Sequence, residues 1–166
     1  TTFGKIIGAG MPVGAYGGRR EIMEMVSPVG AVYQAGTLSG NPVAMAAGIA
    51  QLTYLKEHPE VYTKLNKTSD SFFAELQKIV DESGRGYQVN HICSLGSMFC
   101  TTQEVYDYET AKTSDTKAYA DYCNYMQNHG IYLAPAQFEA MFISAAHTQE
   151  QLAQTLETAR NYFKNN

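Results

Sequence analysis

Nine of the fourteen glycines fall within the first 40 residues of a 166-residue chain, and that crowding limits what the opening segment can become. Glycine inside a helix costs about 1 kcal/mol relative to alanine. Six of the fifteen residues from Gly4 to Gly18 are glycine, so this stretch suits short extended pieces joined by tight turns. Such pieces are expected at Lys5–Ile7 and Pro12–Tyr16. Thr1-Thr2-Phe3-Gly4-Lys5 leads straight into the glycine segment, which reads as a domain entered part-way. Arg19–Val26 suits a short helix ended by Ser27-Pro28.

The rest of the chain is punctuated differently. Asn41 is a good N-cap and Pro42 fits a first helical position, predicting a helix over 42–57. Its residues Val43, Ala46, Ala47, Ala50, Leu52 and Leu55 are apolar, so it is expected to be well buried. His58-Pro59 breaks it. Val61, Leu65, Phe72, Phe73, Leu76, Ile79 and Val80 then recur at helical spacing over about 60–83, ended by Gly84-Arg85-Gly86. From Tyr87 the pattern is strand-like at Tyr87–His91 and Gly96–Thr102, with a polar loop at 104–113 in which Asp107 and Glu109 read as solvated charges. Ser114 can cap a helix reaching Asn128, stopped by Gly130. Ile131–Ala134 and Met141–Ser144 read as further short strands. Thr148 and Gln151 form a capping box for a last helix, with Leu152, Leu156, Ala159 and Phe163 on one face. The expected organisation is residues 1–57 as the end of one domain, 58–86 as a connecting helix, and 87–166 as a small α+β layer domain.

Composition excludes several classes. Apolar residues make up 45% and charged residues 17%, which is globular rather than disordered. No apolar run reaches the roughly 20 residues of a membrane helix. The net charge of -4 comes without a dense basic block, so neither nucleic acid nor an anionic membrane is an expected partner. Cys93, Cys100 and Cys123 form no C-x-x-C pair and are expected as reduced thiols, and the four histidines lack metal-ligand spacing, so no metal is expected. No basic segment precedes an apolar one at the start, which fits a cytoplasmic protein.

Chemistry concentrates in a few places. Lys5 follows a glycine, precedes two isoleucines and has no carboxylate near it before Glu21. A lysine enclosed by apolar groups loses its proton more readily, and the neutral amine attacks carbonyls. Gly8-x-Gly10-x-x-x-Gly14 misses the dinucleotide fingerprint by one residue, with Pro12 inside it. Ala35-Gly36-Thr37-Leu38-Ser39-Gly40-Asn41-Pro42 runs into a helix N-terminus, where free N–H groups favour an anion such as phosphate. A capped turn needs Asn41 alone. Glu139 stands between two apolar segments, and Tyr33 suits packing or a site hydroxyl equally.

Three of these stretches carry a resemblance. Gly4-Lys5 through Arg19-Arg20, Tyr33 through Pro42, and Tyr132-Leu133-Ala134-Pro135 through Glu139-Ala140 with Ser144–His147 resemble, in order, the signatures of glutamate-1-semialdehyde aminomutases. Those enzymes fall within the class-III pyridoxal-phosphate aminotransferases. The resemblance implies an α/β fold, here a fragment of a fold-type I transferase: the end of the large α/β domain plus the small C-terminal α+β domain. It implies pyridoxal 5'-phosphate and its pyridoxamine form as cofactor, with Lys5 as the lysine bonded to it. Gly36 and Thr37 would meet the cofactor phosphate from the neighbouring subunit of a homodimer, with Tyr33 lining the site from the same side. Glu139 would lie near the small-molecule substrate, where ω-aminotransferases usually carry an arginine. The implied reaction isomerises glutamate-1-semialdehyde to the tetrapyrrole precursor 5-aminolevulinate. Family members are much longer, so this chain would be a C-terminal portion, inactive alone. The alternatives are an ω-aminotransferase of the same fold or an inert structural fragment.

Overall fold

A computed structural model describes residues 1–165. The chain divides into two compact units, Thr1–Pro59 and the residues from Glu60 onward.

In the first unit β1 (Thr2–Phe3) and β2 (Ala15–Tyr16) form an antiparallel ribbon, Thr2 facing Tyr16 and Phe3 facing Ala15. Reciprocal bonds close it: the Thr1 ammonium donates to the Gly17 carbonyl (2.8 Å) and the Gly17 N–H to the Thr1 carbonyl (2.9 Å). Between the two strands Lys5–Gly8 is a 3-10 turn rather than the expected extended piece. Lys5 and Ala9 both have φ of +51°, and left-handed residues at both ends of the turn curl the chain away from strand geometry. The next helix is shorter than expected, α1 covering Arg20–Met23.

The longer helix α2 spans Pro42–Glu57, with Asn41 as its cap. It is not the well-buried helix that its composition implies. Ala44 and Gly48 are buried, but Val43 is 63% exposed and Ile49 66%. Inside this unit α2 packs on the Lys5–Gly8 turn, which is too short to cover a helix apolar all round.

The second unit is an antiparallel sheet in the order β3 (Gln88–Ile92), β4 (Leu95–Phe99), β5 (Met141–Phe142). Three long helices accompany it: α3 (Glu60–Glu82), α5 (Thr116–Asn128) and α6 (Gln149–Asn165). The 3.6-residue periodicity of α3 buries Phe72, Phe73, Leu76, Ile79 and Val80 together. Burying a side chain of that size contributes about 1.5–3 kcal/mol. Tyr119, Tyr122, Cys123 and Met126 of α5 and Leu152, Ala159, Tyr162 and Phe163 of α6 complete the core. The helix expected to connect two domains buries this face in the second unit's core. No described helix is long and apolar enough to cross a membrane.

Three local expectations give way to competing hydrogen bonds. Residues 131–134 form no strand; Tyr119 donates its hydroxyl to the Ala134 carbonyl (2.8 Å) and Ile131 donates its N–H to the Met126 carbonyl (2.9 Å). The polar loop holds a one-turn helix, α4 (Tyr108–Ala111), capped by Asp107 in a capping box with Thr110. Those Thr110 bonds hold the Asp107 carboxyl below the usual carboxylate range. Finally, α5 is capped by Asp115, whose Oδ1 accepts from Lys117 N (2.9 Å) and Ala118 N (3.0 Å). Ser114 lies buried, its hydroxyl without a hydrogen-bond partner among the described residues. Asp115→Ala is expected to cost about 0.5–2 kcal/mol by chemical denaturation. Ser114→Ala should be neutral or stabilising, because it removes an unsatisfied buried hydroxyl.

Candidate functional site

In the first unit the Lys5 turn is held by its neighbours. The preceding residues are anchored in β1, and the Ile6 carbonyl accepts a hydrogen bond from Nε2 of Gln51 on α2. One turn earlier on α2 the backbone at Gly48 meets the Ile7 carbonyl, and a Cβ there would lie 2.5 Å from that oxygen. Only a residue without a side chain allows this approach. Lys5 itself carries the positive φ, in a region that costs a non-glycine residue roughly 1–3 kcal/mol. Strain of that size persists where the surroundings over-determine the backbone, and such residues cluster at functional sites. The expected apolar enclosure of Lys5 is not supplied by its own unit: Lys5 is exposed and the adjacent Ile6 is 69% exposed. The sequence marked Lys5 but not Gln51 or Gly48, which act through a contact some forty residues away.

The loop before α2 presents a second group of donors, and they are not those of the helix terminus. Val43 N and Ala44 N both donate to Asn41 Oδ1 (3.1 Å each), and Met45 N donates to the Asn41 carbonyl (2.9 Å). Pro42 has no N–H to offer, so the cap consumes the first-turn amides that an anion would use. The open donors lie earlier. The N–H groups of Gly36 and Thr37 and the Thr37 hydroxyl make no hydrogen bond among the described residues. The turn they belong to is fixed by Ser39 N donating to the Gly36 carbonyl (2.9 Å) and Asn41 N to the Leu38 carbonyl (3.1 Å). Gly36 and Thr37 border a cleft of about 690 Å³ that also includes Phe3, Tyr16 and Met45. Tyr33, three residues upstream, is 82% exposed.

In the second unit Glu139 lines a cavity of about 630 Å³ shared with Tyr132, Pro135, Met141 and His147. His147 Nδ1 accepts the Ser144 N–H at 3.0 Å, which leaves Nε2 to carry the proton of the neutral ring. Glu139 is exposed, and its carboxylate makes no hydrogen bond among the described residues. The groups behind the loop are different in kind. Burial pushes the Tyr119 hydroxyl up to about 12, with smaller contributions from Cys123, Cys100 and Glu139. Burial, then Asp115, pushes the Cys100 thiol up to about 12 as well. Both stay neutral near pH 7, and Glu139 is the acidic residue of this loop that lines the cavity. Gln137, two residues before it, is a buried side chain that sequence reading passed over.

The Gly48 contact generates a sharp expectation. Gly48→Ala should destabilise by about 1–3 kcal/mol, although alanine is the better helix former by about 1 kcal/mol. Chemical denaturation measures the sign, and a stabilised variant would show that the Lys5 turn is not seated on α2.

Residues 1–161 match the family model for aminotransferase class-III. The chain is 61% identical over 164 residues to glutamate-1-semialdehyde 2,1-aminomutase 1 of Lachnoclostridium phytofermentans, covering 99% of this chain and 38% of that relative. It is 57% identical over 155 residues to glutamate-1-semialdehyde 2,1-aminomutase of Alkaliphilus oremlandii, covering 93% and 35%. Among solved structures, a β-phenylalanine aminotransferase from Variovorax paradoxus matches with a TM-score of 0.85 at 27% identity, over 98% of this chain and 37% of the other. An ω-transaminase from Sphaerobacter thermophilus matches with a TM-score of 0.81 at 23% identity, over 99% and 38%, a likeness of fold. The chain thus spans well under half the length of the curated relatives it matches, and its fold is a fragment of the fold-type I transferase architecture. With the family model spanning nearly every residue, this chain belongs to the class-III aminotransferases.

Proposed function

We propose that this chain is the C-terminal portion of a glutamate-1-semialdehyde 2,1-aminomutase. Residues 1–57 would close the large cofactor-binding domain, 58–86 would connect, and 87–166 would form the small domain. The observation that carries this reading is that relatives 57–61% identical over almost the whole chain are named as this aminomutase. Glu139 supports it further, since a carboxylate there repels the substrate carboxylate that an ω-aminotransferase draws in with an arginine.

The residues present fit pyridoxal phosphate. Lys5 offers a primary amine on a braced backbone, and Thr37 with the Gly36 and Thr37 amides offers open donors suited to a phosphate. Lys5 Nζ would hold the cofactor aldehyde carbon, and the Gly36–Thr37 loop its phosphate, reached from the partner subunit of a homodimer. When bound, the cofactor supplies an electron sink for charge developing at the substrate carbon, cycling between pyridoxal and pyridoxamine forms. Lys5 Nζ, once free, accepts the proton from the substrate carbon that bears nitrogen and returns it, work that requires the neutral amine. Glu139 would orient the substrate, and Tyr33 would line the site from the partner subunit. The net change moves the amino group to the neighbouring carbon and gives 5-aminolevulinate, which places the protein in tetrapyrrole synthesis in the cytoplasm.

The likeness to solved transaminases keeps an ω-aminotransferase as the second reading, and one assay separates the two. The complete protein, given glutamate-1-semialdehyde and no amino donor, is expected to form 5-aminolevulinate. Lys5→Ala should lower turnover by at least about 100-fold, the scale of a lost general base, with the far-ultraviolet circular dichroism unchanged. A requirement for a second amino donor, or near-normal turnover in the variant, would contradict the proposal.

A further inference from the structure

The loop that carries Glu139 is attached to the sheet by a single side chain. In the second unit β4 pairs with β3 along its whole length, but with β5 only at Leu95 and Gly96. Beyond Gly96, no backbone group among the described residues pairs with the Met98 carbonyl or the Cys100 N–H on the edge that faces β5, although both residues are buried there. Buried backbone groups in that position need hydrogen bonds. Gln137 supplies both. Its Oε1 accepts from Cys100 N at 3.2 Å, and its Nε2 donates to the Met98 carbonyl at 2.7 Å. One primary amide therefore stands where a peptide group of a continued β5 would have stood, bonding a carbonyl and the N–H two residues later. Gln137 is 3% exposed, the most enclosed residue of its loop, so its side chain is locked.

Glu139 is tied to this anchor by short covalent and hydrogen-bonded links. Glu139 N donates to the Ala136 carbonyl at 3.1 Å, closing a turn whose central residues are Gln137 and Phe138. At the other end, the Tyr119 hydroxyl holds the Ala134 carbonyl at 2.8 Å. With Gln137 fixed to β4, the turn cannot rotate about the strand edge, and Glu139 points into the cavity from one position. Without the amide, the turn keeps its single internal bond, the Ala134 tether and the edge-on contact of the half-exposed Phe138 ring with Tyr108.

We propose that Gln137 is a positioning residue: its amide completes the open edge of β4 and thereby sets where Glu139 presents its carboxylate. The proposal rests on the reading of Glu139 as a substrate-side residue, and its test keeps the two separable. Gln137→Met retains the volume and removes both hydrogen bonds. In the complete protein, amide exchange at Cys100 should accelerate by at least about 10-fold, as expected for a buried N–H that has lost its partner. That readout needs neither substrate nor cofactor.

Activity then tests the coupling to Glu139 through a double-mutant cycle. Gln137→Met should lower kcat/KM about 10-fold or more in the parent protein, and by no more than about 2-fold in a Glu139→Gln background. A merely structural role would lower both backgrounds by the same factor, and that result overturns the proposal while leaving Glu139's role standing. If Glu139→Gln itself has no effect on kcat/KM, the assignment of Glu139 fails and the proposal falls with it. Unchanged exchange at Cys100 overturns the proposal directly. Should Gln137→Met fail to fold, Gln137→Glu enters the same cycle, since it keeps an acceptor for Cys100 N and puts at Met98 an oxygen that donates only when protonated.

Discussion

The second unit depends on how closely α3 can approach the β3–β4 hairpin, and that distance is set by Phe73 over Gly96. A Cβ built on Gly96 would lie 2.4 Å from the Phe73 ring, so any side chain at 96 would lift the helix off the sheet. The ring also stacks on His91 of β3, centroids 5.0 Å apart, and the contact therefore spans both strands. With α3 seated, Leu76, Ile79 and Val80 reach the same core as Met98 and Cys100 of β4. The tyrosines of α5 and the aromatic end of α6 then close over it. A guanidinium fastens the outside, with Arg160 of α6 bridging Glu75 and Glu82 of α3. Those partly exposed pairs contribute little beside the packing.

Both units solve the same problem in the same way. A residue proposed for the site stands on a loop, yet must keep its place. In the first unit a glutamine amide, Gln51, reaches from α2 to the Ile6 carbonyl and steadies the strained turn at Lys5. In the second, Gln137 reaches from the loop to β4 and steadies the turn before Glu139. Neutral amides suit this work because they donate and accept at once and bring no charge into a low-dielectric setting. The ionisable residues, Lys5 and Glu139, stay exposed.

Much of the secondary structure was legible because its signals are local. Asn41-Pro42 starts α2 and His58-Pro59 ends it, and the Thr148–Gln151 capping box is present, with reciprocal bonds of 2.9 and 3.3 Å. The spacing of Phe72, Phe73, Leu76, Ile79 and Val80 foretold both α3 and its buried face. Non-local features were not legible. Nothing in the glycine-rich opening distinguishes an extended Lys5 from one at φ +51°, because the choice is made by α2 packing through Gly48 and Gln51. Ser114 and Asp115 are equally good caps on paper, and the difference is that Ser114 turns inward. The open β4 edge that Gln137 caps exists only because β5 begins as late as Met141.

At the candidate site the resemblance drew attention to Lys5, Thr37 and Glu139, while physics alone gave mixed guidance. The helix-terminus reading of the segment before α2 was sound in principle, but Asn41 already occupies those amides, leaving the earlier loop donors at Gly36 and Thr37. The account turns on Lys5 being the residue that bonds the cofactor, and one measurement reaches it directly. The complete protein is incubated with pyridoxal phosphate, reduced with borohydride, digested, and its modified peptide sequenced. The account predicts a single pyridoxyl group on Lys5. A label on another lysine, or none on a folded protein, would contradict it.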